Sequence, residues 1–365
     1  MKKLSKEYQK AVLELSNGAK FEGRLMGSAV CASGEMVFTT GMVGYNEAIT
    51  DPSYKGQILV FSFALIGNYG IPPLKEGDFF MAPGYESDGI KPAGIVISDG
   101  FHDCFHYKGG MSLDAWLKKQ NVPAIVGVDT RALVKMLRTE GSPLLARILP
   151  VGPSAQTCTF FDPKEHNLIP QVSVKERTIV GKGDKRVAVL DCGVKWGVIR
   201  NLVEQGLEVE LLPWDTNPDD IEASGWVISS GPGNPENSAA LIENAKKILE
   251  KNVPVLGIGF GHQILALAAG AKVERLPLGH RGENQPVYDN KTKKGYMTSQ
   301  NHSYAVTKES LPKGWKVTMT NANDGTVAGI SAAKGYVKGV QFNPEGSTDT
   351  TWIFKDFADA VRRVK

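Results

Sequence analysis

Residues 253–263, VPVLGIGFGHQ, decide the fold of the C-terminal half of this chain. The stretch predicts a short buried strand, a sharp glycine-rich turn and then an apolar helix. In hydrolases with this layout, the residue on the turn is a Ser or Cys nucleophile, held above the sheet beside backbone N–H donors. Here that residue is Gly259, which has no side chain to attack a substrate. The sequence therefore predicts a catalytic turn that lacks its nucleophile.

The segments around this turn alternate between strand and helix patterns. From Arg186 onwards the predicted strands are 187–190, 208–212, 226–229 and 253–258, and the predicted helices are 196–205 and 239–250. This rhythm predicts an α/β domain with a doubly wound, mostly parallel sheet and with ligands at the carboxyl ends of its strands. Gly231, Gly233 and Gly259 all fall at such ends.

The N-terminal half has a different pattern. Short β-type runs such as 11–15 and 58–63 alternate with Gly, Pro and Asn turns, and one helix is predicted after Asp129. At 365 residues the chain exceeds a single comfortable core. We therefore predict a strand-rich domain over residues 1–150, a proline-containing connector over 151–185 and the α/β domain over 186–365.

Composition is ordinary for a globular protein of the cytoplasm. The chain is 42% hydrophobic and 22% charged, and its 42 basic and 39 acidic residues give a net charge of +3. This balance favours neither nucleic acid nor a membrane surface as a partner, and the first residues lack the apolar core of a secretory signal. The cysteines (Cys31, Cys104, Cys158 and Cys192) have no metal-type spacing, so we predict no metal site and a reducing, cytoplasmic environment.

A set of motifs spread along the chain carries a family resemblance. GIGFGHQ (257–263) and NPE (343–345) resemble the G-I-C-L-G-H-Q and H-P-E motifs of class I, or triad, glutamine amidotransferases. The branch is indicated by GEMVFTTGMVGY (34–45), TDPSY (50–54), IGNYG (66–70), VDTR (128–131), DCGVK (191–195), SGPG (230–233) and QNH (300–302). In this order they resemble the small subunit of carbamoyl-phosphate synthetase over nearly the whole chain.

The resemblance assigns roles to the residues of the degenerate site. Gly259 stands at the position of the nucleophilic Cys, and Asn343 stands at the position of the His base. An amide side chain cannot take up a proton at neutral pH, so Asn343 cannot act as that base. Glu345, the carboxylate that would orient the base, is retained, but the segment after it is shorter than in the family. The chain is therefore predicted to be inactive as a glutaminase.

The resemblance also implies a pocket for glutamine. Its predicted residues are Ser53, Gly231, Gly233, Phe260, Gln263, Asn301, Ser303 and Tyr304. Gln263 suits a zwitterionic amino acid because an amide can both donate and accept hydrogen bonds. Ser303 replaces a Gly of the family, which puts the shape of the pocket in doubt.

In intact members of this family the small subunit hydrolyses glutamine and passes ammonia to a large subunit. The large subunit uses ATP and bicarbonate to make carbamoyl phosphate for pyrimidine and arginine biosynthesis. This chain has no P-loop pattern, so it is expected to hold no cofactor and to leave ATP chemistry to that partner. Two alternatives remain at this stage. One is a stand-alone glutamine-binding or regulatory protein, and the other is an amidase that uses an unrecognised nucleophile such as Cys192, or a base such as His262 or His302.

Overall fold

The chain forms two compact units. The computed structural model describes residues 9–74, 79–100, 110–140, 143–153 and 156–364. The first unit comprises Met1–Gly77 and Asp88–Pro163, and the second comprises Asp78–Ser87 and Lys164–Lys365. Contacts thus assign residues 164–185, predicted as part of a connector, to the second unit. The reason is that Thr178–Val180 pairs as an edge strand of the second sheet. This strand has three residues, too few to show a strand pattern in the sequence.

The described strands of the first unit close into a barrel. They are β1 (Lys10–Leu15), β2 (Lys20–Gly27), β3 (Ala32–Thr39), β4 (Gln57–Phe61), β5 (Gly94–Ile97), β6 (Pro123–Val126) and β7 (Leu145–Pro150). Their order around the barrel is β1-β2-β6-β5-β4-β3-β7, and β7 pairs with both β1 and β3. Neighbours from β3 to β6 run parallel, and the remaining pairs are antiparallel.

Three helices accompany this barrel in the described residues: α1 (Tyr45–Thr50), α2 (Leu113–Lys119) and α3 (Thr130–Glu140). The helix predicted after Asp129 is confirmed as α3, and the Asp129 carboxylate accepts a hydrogen bond from the backbone N–H of Ala132 at 3.0 Å. Leu133 and Leu137 of α3 are buried in one core with Ile58 of β4. The helical spacing seen in the sequence therefore marks the face that packs on the barrel.

Two cysteines of the first unit form a disulfide. Cys31 and Cys158 are bonded across 127 residues of chain, with their Cα atoms 6.0 Å apart. The cysteine spacing did not predict this pair, which forms because the segment after β7 returns to the start of β3. Arg147 accompanies it, donating to the Cys158 carbonyl at 2.5 Å and pairing with Glu14 at 2.8 Å. Cys104 lies outside the described residues.

The second unit is built on a ten-stranded sheet in the described residues. Its strands are β8 (Thr178–Val180), β9 (Lys185–Asp191), β10 (Leu207–Pro213), β11 (Gly225–Ile228), β12 (Val255–Ile258), β13 (Val273–Asp289), β14 (Gly295–Val306), β15 (Trp315–Asn321), β16 (Val327–Ala332) and β17 (Val337–Val340). The order is β14-β13-β15-β16-β17-β12-β11-β9-β10-β8. The five central strands from β17 to β10 are parallel, whereas the strands beyond them pair antiparallel.

Helices cover both faces of the parallel strands. They are α4 (Trp196–Glu204), α5 (Ala239–Glu250), α6 (Phe260–Ala268) and α7 (Trp352–Arg362). Leu241 of α5 and Ile264 of α6 share a core with Trp226 of β11, whereas Phe357 of α7 lies against Gly225 of the same strand. The predicted α/β architecture is confirmed, and the predicted strands and helices from Arg186 to residue 258 agree with the structure to within about two residues. Among the described helices, none has the length and apolarity that a membrane span requires.

Candidate active site

Four adjacent parallel strands end at one edge of the second sheet. β9, β11, β12 and β17 are neighbours, and the chain leaves them after Asp191, Ile228, Ile258 and Val340. Because parallel strands place their carboxyl ends at the same edge, the DCGVK, SGPG, elbow and NPE segments meet there. The sequence motifs of the second unit thus converge on one place.

Gly259 keeps the backbone of a nucleophile elbow. It has φ 55° and ψ −107° between β12 and α6, a conformation that is strained for any residue with a side chain. Its N–H donates to the Val340 carbonyl at 2.8 Å, and the N–H of Gln263 donates to the Gly259 carbonyl at 3.3 Å. A Cβ built on Gly259 would lie 3.4 Å from Ser230 Cβ and 3.9 Å from Asn343 Oδ1, which are ordinary contacts. The turn therefore still has room for a side chain, pointed towards Asn343.

Its glycine neighbours are different because they have no such room. A Cβ on Gly261 would lie 2.0 Å from the Ile228 carbonyl oxygen, and one on Gly231 would lie 2.2 Å from that of Cys192. Close backbone packing therefore requires these two glycines. Gly233 has no such contact but adopts φ 91°. The three glycines maintain the shape of the edge whether or not a substrate binds there.

Asn343 is buried beside the elbow, and its backbone N–H donates to the Ser299 carbonyl at 2.8 Å. Glu345 follows in a short helical turn, where its carboxylate is buried. Lys195 Nζ lies 2.8 Å from Glu345 Oε1. This contact is an ion pair, although the two groups are not aligned as a hydrogen-bonded pair. Glu345 thus neutralises a buried lysine, a role that needs no histidine.

A second buried carboxylate, Glu86, lies in the same cluster. It accepts a hydrogen bond from the backbone N–H of Gly197 at 2.8 Å and pairs with Arg200 at 3.3 Å. Burial raises the pKa of the Glu86 carboxyl to about 6, with the charge of Glu345 acting in the same direction and the charges of Lys195 and Arg200 opposing it. The carboxylates of Glu86 and Glu345 therefore share this cluster with two cations, Lys195 and Arg200.

None of the replacement catalytic residues considered from the sequence is in a reactive environment. Cys192 is fully buried, and burial raises the pKa of its thiol well above the ordinary value. His262 is fully buried against Gly339, and burial lowers its pKa to about 4. Burial also holds the pKa of His302 well below the usual range, and its Nδ1 bonds the Tyr304 carbonyl at 2.8 Å. A thiol that resists ionisation is a poor nucleophile.

The pocket residues of the second unit make a connected set. Gln263 is buried, and its Nε2 donates to the Tyr304 carbonyl at 2.8 Å and to Gln341 Oε1 at 3.1 Å. Both amide hydrogens are thus used within the protein, which leaves Oε1 as the atom suited to a ligand. Oε1 is an acceptor only, so Gln263 can meet an ammonium group but not a carboxylate.

The remaining predicted pocket residues lie on β14, at the start of α6 and in the first unit. Ser303 does not adopt positive φ, so its position does not require glycine, and its hydroxyl accepts a hydrogen bond from Arg281 at 2.5 Å. Asn301 pairs with Arg281 across β13 and β14, and Phe260 is the buried first residue of α6. Ser53 belongs to the first unit, where its N–H donates to the Asp51 carboxylate at 2.8 Å. The sequence did not point to Lys195 or Glu86 as members of the site.

Comparison with known proteins identifies both halves of the chain. Residues 13–146 match the carbamoyl-phosphate synthase small chain, CPSase domain, and residues 188–360 match glutamine amidotransferase class-I. The chain is 40% identical to the carbamoyl phosphate synthase arginine-specific small chain of Aspergillus clavatus over 98% of its own length and 81% of that protein. It belongs to the carbamoyl-phosphate synthase small chain family.

Longer proteins contain a similar region. The chain is 42% identical to part of the multifunctional protein CAD of Squalus acanthias, over 97% of its own length and 16% of that protein. It is also 42% identical to part of the mitochondrial carbamoyl-phosphate synthase [ammonia] of Rattus norvegicus, over 99% of its own length and 24% of that protein. The chain therefore spans less than a quarter of the length of these two relatives.

Proposed function

We propose that this chain is a non-hydrolysing small subunit that binds a large carbamoyl-phosphate synthetase subunit supplied with free ammonia. In this proposal the large subunit carries the ATP and bicarbonate chemistry, and the product serves pyrimidine or arginine biosynthesis. The small chain contributes stability or regulation through docking, and glutamine or a related amino acid is its candidate ligand. Its own glutaminase activity is lost.

One observation carries the proposal: the elbow is intact but has neither nucleophile nor base. Gly259 keeps the strained backbone of a nucleophile position and leaves room for a Cβ there. The side chain at the base position is the amide of Asn343, whose Oδ1 would lie 3.9 Å from that Cβ. Hydrolysis of a carboxamide by this class needs a thiolate and a proton acceptor, so the described site lacks both reacting groups.

The ion pair between Lys195 and Glu345 explains why this carboxylate is retained in the fold. A carboxylate that orients a histidine must offer an oxygen to its ring N–H. Here Glu345 faces a buried ammonium 2.8 Å away, and moving the carboxylate would leave that charge uncompensated at a large energetic cost. Lys195 and Glu345 both belong to motifs that this chain shares with the family, so their ion pair stabilises the scaffold whether or not the site is active.

The names of the relatives favour an ammonia-fed partner. The rat relative, 42% identical to this chain, is named as using ammonia, so a region of this type occurs in a synthase named for that nitrogen source. The fungal relative is named as a small chain. The first name is compatible with an ammonia-fed partner, and the second with a separate small chain.

The test compares two nitrogen donors in the presence of a large subunit. The purified chain and a carbamoyl-phosphate synthetase large subunit are mixed, and carbamoyl phosphate is measured with either ammonium chloride or glutamine. We expect formation from ammonium alone, co-elution of the two chains, and no glutaminase activity above the buffer background. An intact small chain with the same large subunit is the positive control for glutamine.

Two outcomes would contradict the proposal. Glutamine-dependent synthesis that disappears in Cys192→Ala would favour an amidase with an unrecognised nucleophile. Absence of any complex, combined with saturable glutamine binding by the isolated chain, would instead favour a stand-alone glutamine-binding protein.

A further inference from the structure

A cavity of about 410 Å³ opens in the second unit, away from the degenerate elbow. Its walls come from β12, β15, β16 and β17, from the start of α7 and from the turn between β13 and β14. Neither Gly259 nor Asn343 lines it. The volume falls within the range of small-molecule sites in proteins, so the cavity is large enough for a ligand of its own.

Three polar side chains form a row across the floor of this cavity. Ser331 of β16 lies directly opposite Lys316 of β15 on one side and Lys338 of β17 on the other. Residues directly opposite one another on antiparallel strands point to the same face, with Cβ atoms about 5 Å apart. Ser331 is 7% exposed, and its hydroxyl makes no hydrogen bond with a described residue. The row thus presents a buried hydroxyl between two ammonium groups.

The charges around this row are not balanced. Lys338 pairs with Asp356 at 2.5 Å, and the same carboxylate accepts a hydrogen bond from Tyr336 at 2.9 Å. In contrast, no carboxylate of a described residue lies within 4.0 Å of Lys316 Nζ. Asp289, the other acid of the lining, is engaged by the backbone and hydroxyl of Thr292 in its own turn. The floor therefore carries positive charge that the protein does not neutralise.

The turn at the rim adds to this charge. Lys291 lines the cavity, and Lys293 and Lys294 follow in the same turn. Three lysines within four residues are notable in a chain whose net charge is only +3. Lys293 lies over the ring of Tyr288 and Lys294 over that of Tyr296, so Lys291 is the member of this turn that lines the cavity.

One wall of the cavity is apolar and partly aromatic. Trp352 at the start of α7 is 40% exposed, and its ring lies 6.0 Å from that of Tyr296. Leu256 and Ile353 are buried apolar residues of the lining. A half-exposed indole beside a lysine row suits a planar ring attached to an anionic group.

We propose that this cavity binds an organic phosphate that carries a planar ring, of about the size of a nucleoside monophosphate. The phosphate is held by Lys316 and the Ser331 hydroxyl, with Lys338 shared between the ligand and Asp356. The ring packs against Trp352. Lysine ammonium groups and hydroxyl donors are suited to phosphate oxygens. This site is independent of the lost glutaminase centre.

Isothermal titration calorimetry of the full chain at low ionic strength tests the proposal. The probes are adenosine monophosphate, uridine monophosphate, adenosine, ribose 5-phosphate and inorganic phosphate. We expect saturable binding of the two nucleotides and at least tenfold weaker binding of the probes that lack either the ring or the phosphate. Lys316→Gln should weaken nucleotide binding about tenfold, because it removes a charge-assisted contact. This side chain is exposed, so the variant should fold normally.

Lys308→Gln is the matched control, since it removes the same charge from an exposed lysine that does not line the cavity. It should bind nucleotides as the unaltered chain does. Equal weakening by both variants, or equal affinity for inorganic phosphate and nucleotides, would reduce the site to a non-selective basic surface and overturn the proposal. Absence of nucleotide binding at millimolar concentration would overturn it as well.

Discussion

Gly259→Cys should be tolerated, whereas the same kind of change two residues later should not. The new Cβ meets no atom of its wider surroundings closer than 3.4 Å, so its main cost is backbone strain at φ 55°. Strain of this kind costs about 1–3 kcal/mol. For a domain of this size, that corresponds to a fall in the thermal midpoint of roughly 2–12 °C.

The control variants separate strain from steric overlap. Gly259→Ala introduces the same strain without a thiol and should show the same fall. Gly261→Ala places a Cβ 2.0 Å from the Ile228 carbonyl oxygen and should destabilise the chain much more or prevent folding. Thermal unfolding followed by circular dichroism would rank the three variants. Equal losses at positions 259 and 261 would refute the geometry of the elbow.

The new thiol also provides a chemical readout. It would lie at the N-terminus of α6, a position that lowers the pKa of a thiol, whereas Cys192 is fully buried with a raised pKa. Iodoacetamide should therefore label position 259 in the folded variant and leave Cys192 unlabelled, as checked by peptide mass spectrometry. Adding Asn343→His should allow slow covalent capture of a glutamine-like chloroketone. The reaction should remain slow, because the members of a triad act as a unit and their mutual geometry has to be restored together. A double variant that forms no adduct would show that the elbow no longer supports the chemistry.

Three further predictions concern stability and binding. Folding raises the pKa of Glu86 from 4.5 to about 6, so the folded protein binds this proton more tightly than the unfolded chain does. The resulting contribution to the free energy of unfolding should be fully present below pH 4.5. It should fall by about 2 kcal/mol as the pH rises through 6. Urea titrations of Glu86→Gln should lack that loss, and an unchanged pH profile would contradict the shift. Reduction, or the variant Cys31→Ser, should destabilise the first unit by up to about 5 kcal/mol, because the bond to Cys158 closes a loop of 127 residues. A thermal midpoint that does not respond to reductant would argue against the bond. Glutamine should raise the thermal midpoint, because at a hundred times Kd it adds about 2.7 kcal/mol to the free energy of unfolding. Gln263→Ala should reduce this stabilisation more than Asn343→Ala does, an order that calorimetry can check.

The sequence was most informative where one local pattern specifies one local structure. The run from β9 to α6 was predicted correctly because each buried strand is a short apolar run bounded by polar, Gly or Pro residues. The elbow was recognisable because close backbone packing requires glycine at positions such as Gly261. Local sterics of this kind are visible in a few consecutive residues.

Contacts between distant segments were not predicted, for a physical reason. The ion pair of Lys195 and Glu345 joins residues far apart in the chain, and no periodicity relates two such positions. The bond between Cys31 and Cys158 was missed because spacing alone does not determine which cysteines pair. Closure of the barrel likewise depends on β7 pairing on both sides, a property of the whole unit rather than of any strand.

That closure limits how the first unit can recognise another protein. An open sheet offers a border of unpaired N–H and C=O groups, to which a foreign chain can add as an extra strand. In the described barrel every strand is paired on both sides, so no such border is offered. Recognition by the described part of this unit therefore relies on side chains, including exposed ones on strands such as β2. A partner that binds there reads the amino acids displayed and not generic main-chain complementarity.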